Sequence, residues 1–136
     1  MRETEVRRFV PAMPTELERA LDPGSVVAYE GSFDVFDIEE RSGTTLVTAG
    51  ARGLRMTLRF DPHEDGFYYE QEGDAGPFDE MWTTLTWDRK DEGVVVTARS
   101  GVSLGLPFPA LSDRVAAWKR RGELDRLLDR LADDLG

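Results

Sequence analysis

Apolar and polar residues alternate over most of this chain, and a period of two residues predicts β-strands that bury one face and expose the other. Seven strands are predicted, separated by segments rich in glycine, proline and charged residues. They cover residues 5–10, 33–40, 44–51, 54–60, 67–72, 80–89 and 94–104. The fourth shows the pattern most clearly: Met56, Leu58 and Phe60 alternate with polar residues, which indicates a half-buried antiparallel strand.

Helical patterns occur in two parts of the chain: between the first and second predicted strands, and after the last one. A first helix is predicted over residues 14–21, where Pro14 suits the first turn, and residues 23–29 are interpreted as a second short helical turn. A long helix is predicted from Ser112, its N-cap, to the end of the sequence. The fold class is therefore α+β. Because one long helix cannot cover both faces of a sheet, we expect the sheet to curve around it and enclose a cavity.

The predicted C-terminal helix carries two apolar stripes. One comprises Leu111, Val115 and Trp118, and the other comprises Ala117, Leu124, Leu128, Leu131 and Leu135. These stripes lie on roughly opposite sides of a straight helix. The change from one to the other falls near Gly122, a residue that permits a bend or local unwinding. We therefore predict either a bend near Gly122 or a Trp118 that packs under a loop, away from the sheet.

Length and composition predict a single domain over residues 1–136, long enough to bury about 70% of its unfolded surface. No apolar run approaches the ~20 residues of a membrane span, and the polar N-terminus lacks the apolar core of a signal peptide. A cytoplasmic protein with no integral membrane segment is expected. With no cysteine and one histidine, disulfides and thiolate or zinc sites are excluded, and neither a metal nor a cofactor is predicted.

The charge of the chain changes the expected partners. A formal net charge of -10 argues against nucleic acid, because a polyphosphate would be repelled. Lysine occurs only at Lys90 and Lys119, while arginine, aspartate and glutamate are abundant. Such a surface is typical of proteins that work in molar salt, where self-repulsion is screened. We predict a halophilic protein; the alternative is an ordinary acidic protein encoded by a GC-rich genome.

The segment between the last strand and the last helix carries a family resemblance. It reads Ser103-Leu104-Gly105-Leu106-Pro107-Phe108-Pro109, and continues with Leu111, Asp113-Arg114, Trp118-Lys119-Arg120-Arg121 and Glu123-Leu124. This segment resembles that of small SRPBCC proteins from salt-loving archaea. The order of elements resembles the helix-grip fold of the same superfamily (START/Bet v 1-like, with a polyketide cyclase/dehydrase-like branch). In this fold a curved antiparallel sheet of about seven strands wraps a long C-terminal helix, and two short helices follow strand 1.

The resemblance implies a hydrophobic pocket between the sheet and the terminal helix, which in that superfamily holds lipids, steroids, quinones, polyketides or hormones. The inward faces of the strands would line it. The predicted ligand-binding residues are Met56, Leu58, Tyr69, Gln71, Met81, Thr83, Leu85, Ala98, Ser100 and Trp118. The polar members either meet a ligand or bond to backbone and buried water, because an unpartnered inward polar group costs about 1–3 kcal/mol. A register shift of one residue would instead turn another set inward. That set is Tyr68, Glu70, Trp82, Thr84 and Arg99.

Few ionisable residues are candidates for positions inside the predicted pocket, where they could act in catalysis. Tyr69 and Glu70 are the candidates for general acid–base roles, and Glu30 and Glu70 are the candidate inward carboxylates. His63, the single histidine, lies in a turn between two strands and is assigned no catalytic role.

One basic cluster, residues 119–121 with Arg114, stands out on the acidic chain. It suits an anionic head group or an acidic partner, but local pairing at i, i+4 is the favoured interpretation. The expected pairs are Lys119–Glu123 and Arg121–Asp125.

Three functions remain open from the sequence. The first expectation is binding of a hydrophobic small molecule (a lipid, an isoprenoid or quinone, or a polycyclic compound) in the cavity, with no chemistry required. The second is an enzyme of the polyketide cyclase or dehydratase type. The third is a protein-interaction module whose cavity has collapsed around its bulky aromatic residues.

Overall fold

The computed structural model describes residues 1–136 and contains seven strands and three helices. The strands are β1 (Arg2–Val10), β2 (Asp34–Arg41), β3 (Thr44–Ala51), β4 (Leu54–Pro62), β5 (Gly66–Gln71), β6 (Glu80–Lys90) and β7 (Gly93–Ser103). The helices are α1 (Pro14–Ala20), α2 (Pro23–Glu30) and α3 (Pro109–Leu135). This order confirms the predicted α+β class and the helix-grip arrangement.

All strands form one curved antiparallel sheet in the order β1-β7-β6-β5-β4-β3-β2. After β1 the chain crosses to the opposite edge through α1 and α2, and then returns strand by strand until β7 pairs with β1. The hairpins at Ser42-Gly43 and Arg52-Gly53 have positive φ at both central residues (49° and 87°, 51° and 81°). Two-residue turns of that kind match the twist of antiparallel strands and fix the register.

The core lies between the inner face of the sheet and α3, which packs against β1, β7 and α2. Leu124, Leu127 and Leu131 of α3 are fully buried there. The ligand-binding residues predicted on the inward face of β4, β5, β6 and β7 are buried, and the other set lies on the outer face, so the predicted register of these strands is correct. No helix is long and apolar enough to cross a bilayer.

The structure corrects the prediction for the C-terminal helix. It begins at Pro109, three residues before the predicted N-cap Ser112, and it is uninterrupted through Gly122. Trp118 is 77% exposed, so its predicted packing under a loop is wrong, and the helix shows no break at Gly122. The side that faces the sheet is in fact continuous. Its first half carries polar residues, Asp113 and Arg120, which hid the stripe from an analysis based on apolar spacing.

Candidate binding site

A buried arginine lies at the centre of the space between the sheet and α3. Arg120 is 3% exposed, and its guanidinium donates five hydrogen bonds. The acceptors are Glu30 Oε1 at 2.6 Å, Thr83 Oγ1 at 2.8 Å, Tyr69 Oη at 3.1 Å, Ser100 Oγ at 3.3 Å and Glu123 Oε1 at 3.3 Å. A guanidinium carries five N–H donors, so every donor of Arg120 is used within the protein. We call these six side chains the central polar network.

Tyr69 brings the middle of the sheet into this network. Its hydroxyl donates to Glu30 Oε2 at 2.9 Å, and its ring stacks on Phe60 with centroids 4.3 Å apart. Burial and the neighbouring carboxylate of Glu30 raise the pKa of Tyr69 far above that of a free tyrosine. Burial is the largest single influence on Arg120 and would lower its pKa, but Glu30, Tyr69 and Glu123 together outweigh burial and raise that pKa. The network therefore contains an arginine cation and a neutral phenol.

Glu30 is the last residue of α2, and two hydrogen bonds from Arg126 hold that helix end beside α3. Gly31 adopts a left-handed conformation (φ 79°) and its N–H bonds to Val27 O, so α2 stops where Glu30 points inward. The Arg126 Nε donates to the Glu30 carbonyl at 2.6 Å, and Arg126 Nη2 donates to Ser32 Oγ at 3.3 Å. Helix α3 thus binds both the side chain and the backbone of Glu30.

Thr83 and Ser100 are directly opposite each other on β6 and β7, and their hydroxyl oxygens are 3.0 Å apart. Ser100 Oγ also donates to the Trp82 carbonyl at 2.8 Å. Both hydroxyls accept hydrogen bonds from Arg120. These two small polar residues leave the sheet surface free for the guanidinium to lie against it.

The interior is almost completely filled by this network. The void beside it measures about 10 Å³, which is at the limit of what holds one water molecule. Its walls are Val27, Glu30, Ser32, Phe33, Met56, Leu58, Phe78, Met81, Arg120 and Glu123. The wide internal cavity expected from the sequence is therefore not open in this structure, because charged and hydroxyl side chains occupy its place.

A larger cleft of about 250 Å³ opens to solvent at the end of the sheet next to the start of α3. Its walls are mostly apolar: Phe33, Leu54, Pro77, Phe78, Leu104, Val115, Ala116, Lys119, Arg120 and Glu123. Phe33 and Phe78 line both the cleft and the inner void, and so do Arg120 and Glu123. The two spaces are therefore neighbours, with the central polar network at the floor of the cleft.

The loop over residues 72–79 forms one wall of the cleft, and Gln71 holds it in place. The Gln71 amide donates to the carbonyls of Gly73 at 2.9 Å and Phe78 at 2.6 Å, and it accepts from Phe78 N at 2.9 Å. These three bonds fix Phe78 between the cleft and the inner void.

Nine of the ten predicted ligand-binding residues fall into four groups. Tyr69, Thr83 and Ser100 belong to the central polar network; Met56, Leu58 and Met81 line the inner void; Gln71 fixes the loop; Leu85 and Ala98 are core residues. Trp118, the tenth, is exposed on the outer side of α3 and reaches neither the void nor the cleft.

Glu70 and His63 lie away from the site. The Glu70 carboxylate forms an ion pair with Arg59 and accepts a hydrogen bond from Tyr68 at 3.0 Å. All three are on the outer face of the sheet, so of the two candidate inward carboxylates Glu70 points outward and Glu30 is buried. His63 lies in the β4–β5 turn, and no group of three or more histidine or carboxylate residues is suited to hold a metal.

Sequence analysis did not assign Arg120 and Glu123 to the site. The predicted surface pairs are not formed: Glu123 pairs with Arg120, and Arg121 donates to the Glu5 carbonyl at 3.1 Å. The available signal was helical spacing. Position 120 lies three residues after Ala117 and four before Leu124, on the same side as both.

No family model and no curated protein matches the chain, but solved structures do. A START superfamily protein from Mycobacterium smegmatis matches with a TM-score of 0.73 and 10% identity, over 98% of this chain and 96% of that one. The protein TTHA0849 from Thermus thermophilus matches with a TM-score of 0.69 and 19% identity, over 99% and 100%. The di-domain ARO/CYC BexL from the BE-7585A biosynthetic pathway matches with a TM-score of 0.67 and 23% identity, over 93% of this chain and 45% of that one.

These likenesses establish the fold, which is the START-type (SRPBCC) helix-grip fold. The sequence identities are 10–23%, so these structures indicate the fold of the chain and not its function. The function has to be argued from the cleft and the central polar network.

Proposed function

We propose that this protein binds a small hydrophobic molecule in the cleft between α3 and the loop over residues 72–79. The observation that supports the proposal is an apolar cleft with a charged, hydrogen-bonded floor, since small-molecule sites usually combine apolar walls with a few fixed polar groups. Burial of the ligand would supply roughly 25 cal/mol per Å² of apolar surface removed from water.

The cleft volume limits the ligand. At about 250 Å³ it lies just below the ~300 Å³ of ordinary small-molecule sites. A compact ring system fits the cleft with Phe78 in its present position. A longer lipid would require Phe78 to move, which would break its two hydrogen bonds with the Gln71 side chain.

Fluorescence titration with N-phenyl-1-naphthylamine, which brightens in apolar surroundings, tests the proposal. We expect saturable binding to the wild-type protein. Ala116→Trp places an indole in the cleft and should weaken binding about tenfold or more. Ala110→Trp is the matched control, because Ala110 is exposed on the same helix and outside the cleft, and it should bind like wild type. Equal binding by both variants would place the probe elsewhere and contradict the proposal.

The filled interior favours a second candidate, the protein-interaction module with a collapsed cavity. A void of about 10 Å³ leaves no room for a ligand between the sheet and α3. The same titration separates the two functions, since a module of this kind predicts no saturable binding of the probe.

An activity of the cyclase or dehydratase type would have to use different residues from those expected. The Tyr69 hydroxyl is bound on both sides by Glu30 and Arg120, and Glu70 lies on the outer face. The ionisable side chains on the cleft wall are Lys119, Arg120 and Glu123.

A further inference from the structure

We propose that the ligand of the cleft carries a hydrogen-bond donor, preferably an amine, that binds the carboxylate of Glu123. This inference rests on the proposed function and adds the chemical class of the ligand. It predicts that an organic acid with the same apolar body binds more weakly.

Glu123 is the buried polar group of the cleft with unused hydrogen-bonding capacity. Its side chain is 10% exposed, yet it accepts one hydrogen bond, a long one of 3.3 Å from Arg120 to Oε1. No hydrogen bond in the structure reaches Oε2. A carboxylate accepts about four hydrogen bonds when fully satisfied. Since Glu123 lines both the cleft and the inner void, a ligand in the cleft can supply what the protein does not.

Arg120 is the buried cation that an organic acid would bind, but all its hydrogen-bond donors already have partners within the protein. Its five donors bind five different acceptor atoms within the protein, and its strongest contact is the 2.6 Å ion pair with Glu30. An incoming carboxylate would have to displace one of these partners. Arg120 therefore positions Glu123 and Glu30 and leaves no donor for a ligand.

The charge count of the network points the same way. Glu30 and Glu123 bring two formal negative charges and Arg120 brings one positive charge, which leaves an excess of one negative charge. Beside a carboxylate whose side chain is largely buried, such an excess favours a cation or donor and repels an anion. Lys119 on the cleft wall is an exposed cation, and an ion pair between a ligand and an exposed lysine is screened by water and salt.

Competition between three ligands with one ring system tests the inference. The competitors are 2-naphthylmethylamine, 2-naphthalenemethanol and 2-naphthoate, each displacing N-phenyl-1-naphthylamine. The assay is run in about 1 M KCl, where the Debye length of ~3 Å suppresses long-range attraction of the amine to the acidic surface. We expect the amine to bind about tenfold or more tighter than naphthoate, with the alcohol between them.

Glu123→Gln removes the charge and keeps the size, and it should reduce the amine preference to less than about threefold. Asp125→Asn removes an exposed carboxylate from the same helix and should keep the preference. Glu123→Asp withdraws the carboxylate and should give an intermediate preference, which provides a second variant if the glutamine variant does not fold. Naphthoate binding as tightly as the amine, or a preference that survives Glu123→Gln, would overturn the inference while the binding function stands. Failure of the wild type to bind the naphthylamine probe would overturn both.

Discussion

Arg120 is the residue on which the interior of this protein depends. Its charge lies 2.6 Å from Glu30 in a site with almost no contact with water, where removing ions from solvent costs several kcal/mol each. That cost is offset only because all five donors are satisfied. The residue therefore contributes more to the uniqueness of the interior than an exposed arginine would.

Replacing Arg120 by methionine should lower the free energy of unfolding by about 3–5 kcal/mol, because Glu30 is left as a buried charge without its cation. Urea denaturation measures the loss. The double variant E30Q/R120M should recover part of it, since the unpaired charge is gone. Arg121→Met, at the exposed neighbouring position, is the control and should change stability by less than about 0.5 kcal/mol. A loss below about 1 kcal/mol for R120M would contradict the central role of the ion pair.

The tyrosines should titrate at unusually high pH. The hydrogen bond to Asp134 and burial raise the pKa of Tyr29 to about 12, and burial is the main cause that raises the pKa of Tyr68 and of Tyr69. The folded protein then holds protons that unfolded tyrosines lose near pH 10, so stability falls as pH rises above about 10. Tyr69 contributes up to about 1.4 kcal/mol per pH unit to this fall.

Ultraviolet absorbance of tyrosinate and alkaline unfolding curves check this behaviour. The folded protein should show no tyrosine that ionises near pH 10, and Tyr69→Phe should flatten the decrease of stability with pH. A tyrosinate step near pH 10 without loss of structure would show that these groups are not shielded as described.

Among the secondary-structure elements, α3 has one side buried against the sheet and one side exposed to solvent. Its inner side carries Ala117, Arg120 and Leu124 toward the sheet, while Trp118 is exposed on the outer side and the partly exposed Val115 lines the cleft. The helix needs no break at Gly122 because its inner side is continuous once Arg120 is counted as a core position. Apolar spacing alone led to the prediction of a bend near Gly122 or of a Trp118 packed under a loop.

A pair of alanine substitutions in α3 tests this assignment. Leu124→Ala should cost about 2–5 kcal/mol, because it leaves a cavity in the core. Trp118→Ala should change stability by less than about 0.5 kcal/mol, because the indole is 77% exposed. Thermal or urea unfolding measures both, and a large loss for Trp118→Ala would contradict the exposed position.

For the molecule as a whole, charge is the dominant feature. The chain has 27 acidic and 17 basic residues, and acidic side chains with no partner on the sheet edges and turns repel one another in dilute buffer. We propose that the protein is adapted to high salt, since only screening removes this repulsion.

The melting temperature should therefore rise between about 0.1 M and about 2 M KCl. Each 1 kcal/mol of relieved repulsion corresponds to about 4 °C in a domain of this size. The variant E40Q/D88N/E92Q neutralises three exposed carboxylates and should show a smaller rise. A melting temperature that does not increase with KCl would count against adaptation to salt.

Local patterns in the sequence were enough to predict the elements, their helix-grip order and the inward face of β4, β5, β6 and β7. Strand alternation and turn residues such as Ser42-Gly43 act through neighbours in the chain, so the pattern that produces them is visible locally. The same patterns identified Tyr69, Thr83 and Ser100 as inward polar residues that need partners.

Which partners these residues find depends on how distant parts of the chain pack together. Glu30 and Arg120 are 90 residues apart in the chain, and no local pattern shows that α2 ends where α3 passes. An arginine on a helix is exposed by default, and it becomes a core residue only if acceptors from several elements converge on it. Here they converge from α2, β5, β6 and β7. That convergence fills the expected cavity and leaves the cleft, with the free oxygen of Glu123, as the place for a ligand.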